Sequence, residues 1–115
     1  MTKPGFTVRM TIERPPGEVY EFVCNPKNLP AWASGLGAAV KVRFAERNSY
    51  GVLDHYVSVD SGEEAFVPMR VFANGSGSEV LLTIFRQPGV SEEKFAEDAQ
   101  WVRRDLEALK ELLEK

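Results

Sequence analysis

"SEEKFAEDAQWVRRDLEALKELLEK", residues 91–115, carries the strongest structural signal in the chain. Ser91 is a good helix N-cap, because its hydroxyl accepts from an otherwise orphaned N–H. Glu92 and Glu93 suit the positive end of the helix dipole. Phe95, Ala99, Val102, Leu106, Leu109 and Leu113 then recur at helical spacing, and Trp101, Ala108 and Leu112 widen that stripe. Glu97, Arg103, Arg104, Glu107, Lys110, Glu111 and Glu114 fall on the other side, so Arg103-Arg104 reads as a solvated face. The pattern predicts a long amphipathic helix with one face for burial. A coiled coil is the rival, but the repeat is short and the rest of the chain is rich in strands.

Upstream lie the strands. "SEVLLTIFRQ" (78–87) and "EAFVPMRVFA" (64–73) flank "NGSG", a strong hairpin signal because Asn-Gly tolerates positive φ. "YGVLDHYVSV" (50–59) precedes them across the turn "DSGE", and Val40, Val42 and Phe44 alternate in a further strand at about 38–45. At the start, Phe6, Val8, Met10 and Ile12 share one face of a half-buried strand. Two short helices follow it. The first opens with Pro16 and carries Val19, Phe22 and Val23, and the second is anchored by Leu29 and Trp32. Strands and helices are segregated, so the class is α+β. No linker or repeat interrupts residues 1–115, which read as a single domain.

The totals exclude several function classes. The 115 residues are 43% hydrophobic, enough for one core. A net charge of -3 leaves no electrostatic footprint for nucleic acid. Cys24 is the only cysteine and His55 the only histidine, so no disulfide and no cysteine- or histidine-rich metal site is expected. No cofactor motif is present, since Gly75 and Gly77 sit in a hairpin rather than before a helix. The start lacks a long apolar run, and no window approaches the about 20 apolar residues of a membrane span. The expectation is a cytoplasmic protein without membrane insertion.

Three stretches carry a family resemblance. "TIERPPGEVYEFVCNPKNLPAWASGL" (11–36) resembles the opening of the START/Bet v 1-like (SRPBCC) superfamily, which includes polyketide cyclase-like and Hsp90-activator-like proteins. "GSEVLLTIFR" (77–86) is similar to its Gly-Thr-x-Val strand, with Ser78 in place of Thr, and "FAEDAQWVRRDLEALKELLEK" (95–115) resembles its closing helix. The resemblance implies a helix-grip fold, in which a curved antiparallel sheet wraps the C-terminal helix around an apolar cavity. One departure stands out. "SGLGAAVKV" (34–42) crosses in a few residues a gap where members usually carry more meander, so a strand or hairpin is expected to be shortened or absent.

Asp54-His55 looks at first like an acid–base dyad, but neighbours on a strand point to opposite faces. With Val59 opposite Glu64, Asp54 falls opposite Met69 and Tyr56 opposite Val67. With Asn74-Gly75 as a two-residue turn, Met69 faces Val80, Val67 faces Leu82, and Arg70 faces Glu79. One face then collects Val52, Asp54, Tyr56, Val67, Met69, Val71, Val80, Leu82, Ile84 and Arg86, and this is the expected cavity side. Asp54 and Arg86 are its charged members, either polar anchors for a ligand or strand-end residues reaching solvent. His55 belongs to the opposite face.

The leading expectation is a hydrophobic small molecule bound between sheet and helix. Its candidate contacts are Trp32, Asp54, Tyr56, Met69, Leu82, Arg86, Phe95 and Val102. A cyclase- or dehydratase-like enzyme using Asp54 or a tyrosine as acid or base is the second reading. A protein-interaction module of the Hsp90-activator-like or ribosome-associated type is the third. An edge strand left by the shortened meander offers a route to a homodimer.

Overall fold

The computed structural model describes residues 1–34, 41–58 and 63–115. Its strands are β1 (Gly5–Ile12), β2 (Lys41–Phe44), β3 (His55–Ser58), β4 (Glu64–Val67), β5 (Met69–Asn74) and β6 (Gly77–Phe85). Between β1 and β2 lie α1 (Pro16–Val23), a 3-10 turn (Pro26–Asn28) and the single-turn α2 (Leu29–Trp32), and α3 (Glu92–Glu114) closes the chain. The segment 35–40, where the shortened meander was placed, lies outside the described residues.

The strands form two antiparallel ladders, β1-β6-β5 and β2-β3-β4. The run from β4 into β5 belongs to both. Pro68 divides it, because proline has no N–H to give the ladder. Its carbonyl oxygen still accepts from the Thr83 N–H, while Leu53 donates to Met69 and Val71 to Gly51. The result is one curved antiparallel sheet.

The hairpin turns correct two expected registers. Asn74 pairs with Gly77 around Gly75-Ser76, and Gly75 has a φ of 57°, which glycine adopts without strain. The shift from the expected register is two residues, so the faces of β5 and β6 survive. Met69 faces Leu82 and Val71 faces Val80, all four buried, while Arg70 faces Leu81 and not Glu79. In the other hairpin Ser58 pairs with Glu64 and His55 with Val67, a shift of one. A shift of one exchanges the faces of β3. Leu53, His55 and Val57 point inward and are buried, and Asp54 and Tyr56 point outward. The observed register hides Leu53, Val57 and the His55 imidazole, which can be buried uncharged, whereas the expected one hides a carboxylate, which is the costlier choice.

The core joins all layers. Val8 and Ile12 of β1, Val19 and Val23 of α1, Trp32, and Met69, Val80 and Leu82 of the sheet meet Leu106, Leu109 and Leu113 of α3. Polar contacts pin the C-terminal half of α3 to the end of β1. Lys110 Nζ donates to the Thr11 carbonyl at 2.8 Å, Arg14 Nε donates to that of Leu113 at 2.6 Å, and Glu114 accepts from the Glu13 N–H at 2.8 Å. The N-terminal half of the helix has alanines at 96 and 99 where the other half has leucines. Among the described residues, no helix is long and apolar enough to cross a membrane.

Candidate functional site

Where α3 carries alanines, a groove of about 450 Å³ opens between helix and sheet. Pro4 and Phe6 at the start of β1 and Arg86 just after β6 form one wall. Glu92, Phe95, Ala96, Ala99, Gln100 and Arg103 form the other, a helical stripe flanking the core stripe. The volume lies in the range of small-molecule sites, and the lining is mainly apolar, with charge at its margins.

Arg86 is held in place by its own neighbourhood. Its N–H donates to the Pro4 carbonyl at 2.9 Å, and its Nε donates to the Val90 carbonyl at 2.6 Å. Nη1 lies 3.9 Å from Glu92 Oε1, beyond hydrogen-bond distance. Among the described residues, neither terminal nitrogen of Arg86 makes a hydrogen bond. Arg103 makes no hydrogen bond or ion pair among the described residues.

Of the residues expected at a cavity, Arg86 and Phe95 come together here. Trp32, Met69 and Leu82 are buried in the core, and Val102 packs against it. Trp32 Nε1 is buried and has no hydrogen-bond partner among the described residues. Asp54 and Tyr56 lie on the outer face. Asp54 accepts from Arg70 Nε at 2.9 Å and Nη2 at 2.7 Å, and from the Met69 N–H at 2.9 Å. The Arg70 guanidinium holds its carboxyl below the usual carboxylate range. Tyr56 stacks on Phe66 under the Arg43 guanidinium.

His55 is enclosed instead. Its Nδ1–H donates to the Leu53 carbonyl at 2.9 Å, its ring lies 5.1 Å from that of Phe44, and burial pushes its pKa down. Asp105 is a buried carboxylate on α3 that accepts from Ser34 Oγ at 3.2 Å. Among the described residues, no three metal-ligating side chains cluster.

Sequence reasoning missed Phe6, Ala96, Gln100 and Arg103 as groove residues. Phe6 had the right parity on β1, and Ala96, Gln100 and Arg103 share a helical spacing. The signal was a second stripe beside the core stripe, without a large apolar residue to mark it.

No family model matches the chain, and no curated relative matches it. Solved structures do. DynU16, from the dynemicin biosynthetic locus, superposes with a TM-score of 0.76 at 18% identity over 99% of this chain. The chain spans 48% of DynU16's own length. Protein MLL2253 from Mesorhizobium loti gives 0.74 at 12% identity, with 96% of each chain covered. The Ara h 8.0201 structure gives 0.65 at 13% identity, covering 96% of this chain and 97% of that one. The chain has the START/Bet v 1-like helix-grip fold. In this helix-grip architecture the groove sits where sheet and closing helix diverge.

Proposed function

We propose that this START/Bet v 1-like chain binds a hydrophobic small molecule between β1, the end of β6 and the N-terminal half of α3. The observation that carries the reading is the groove of about 450 Å³ lined by Phe6, Phe95, Ala96 and Ala99. It departs from the sequence-based site in position. Trp32, Met69 and Leu82 are themselves core side chains, so the reading places ligand space toward the amino end of the helix. A cytoplasmic location is part of the proposal.

The acid–base reading with Asp54 finds less support. Its oxygens are engaged by Arg70 and by the Met69 N–H, and a carboxylate of lowered pKa is a weaker base. A homodimer through β2 also finds less support, because Lys41 and Arg43 are exposed on that strand and such charges oppose edge pairing.

The test is titration with a neutral environment-sensitive dye such as Nile red. Ala96→Trp fills the groove from an exposed helix position, so the fold should survive. Blue-shifted emission with the native protein, lost in Ala96→Trp at unchanged Tm, is the expected result. Equal emission from both proteins would place the dye elsewhere.

A further inference from the structure

The charges on the groove say more about its occupant. Its lining holds two guanidiniums, Arg86 and Arg103, against one carboxylate, Glu92, although the whole chain carries -3. The Glu92 side chain is 90% exposed and stands 3.9 Å from Arg86, so it does not use up the donors of Arg86. The Arg86 side chain is only 32% exposed, and its Nε bond to the Val90 carbonyl fixes the direction of its fork. A neutral apolar ligand laid over this groove would strip more water from the guanidinium and return no hydrogen bond, which is costly. A ligand with an anionic end replaces that water with charge-assisted hydrogen bonds, and a carboxylate matches the planar fork in shape.

Resting on the groove reading above, we infer that the site selects an amphipathic monocarboxylate. Its apolar body lies along Phe6, Phe95, Ala96 and Ala99, and its head group is met by Arg86 and Arg103. Arg103, which the sequence places on a solvated helix face, becomes a specificity-determining residue. No bond is made or broken, and the selection is one of charge.

Calorimetric titration with dodecanoate and dodecanol, near neutral pH and below micelle formation, tests this. The two share an apolar body and differ in the head group. Dodecanoate should bind about tenfold more tightly, the range of one or two partly exposed charge-assisted hydrogen bonds. The preference should shrink as salt is raised, and in Arg103→Gln, where the exposed position keeps the fold intact. Arg86→Gln combined with Arg103→Gln should remove the preference for dodecanoate over dodecanol altogether. Equal affinities for the two compounds in the native protein would overturn the charge selection and leave the groove reading standing. Failure of dodecanoate, dodecanol and Nile red alike would overturn both.

Discussion

Asp54 and His55 show how far single residues are legible. Strand alternation separates them onto opposite faces from the sequence alone. Which of them goes inside depends on hairpin register, and a shift of one residue reverses the answer. The consequence is a defined acid response. Burial holds the His55 imidazole below its usual 6.5, so the unfolded chain takes up the proton more readily than the folded one. Stability should be full above about pH 6.5 and fall as the pH drops from there through the lower folded pKa. Denaturant melts at stepped pH should show this slope, and His55→Leu should flatten it. Asp54, also lowered, acts in a separate window, with its contribution lost only as the pH falls below its ordinary 3.8. Asp54→Asn should cost about 1 kcal/mol, because half-exposed Arg70 is the larger part of its pairing. Dye binding should be unchanged, and a loss would return Asp54 to the site.

At the scale of elements, α3 was the most legible. Its cap, its acidic first turn and its apolar stripe all lie in one local window. The Ser91 side chain accepts from the Lys94 N–H at 3.0 Å, as the cap signal implies. Ser91→Ala should lower stability by about 1 kcal/mol. Because that cap sits beside the groove wall, the same variant should weaken ligand binding by fraying Glu92–Phe95. An unchanged melt would mean that Lys94 finds another acceptor. The β5–β6 hairpin was legible in its faces though not in its turn, since a shift of two residues preserves parity. The β3–β4 hairpin was not, because its loop carries no two-residue turn signature to fix the pairing. Pro68 was visible in the sequence as a proline inside a strand. Its effect, a break shared by two ladders, depends on β3 and β6 lying on either side.

At the scale of the molecule, the contrast between the two halves of α3 explains the site. Leu106 is fully buried against the sheet, and truncating it to Ala should cost about 2–5 kcal/mol, read by denaturant melts. The C-terminal half is thus a structural clamp, while the alanine-bearing half leaves room beside Phe6 and Arg86. The groove was only half legible because it forms where one element diverges from another, and no local pattern encodes that divergence. Phe95 and Arg86 were found by parity and helical spacing, but Arg103 was read as solvent-facing because nothing in its own helix marks a wall.

The central claim is that the ligand space lies at this groove. Amide chemical-shift mapping during titration with dodecanoate tests it most directly. Shifts should concentrate at Gly5 and Phe6, at Arg86 and along 92–103. Shifts centred instead on the outer face, at Tyr56, Phe66 and Phe72, would contradict it.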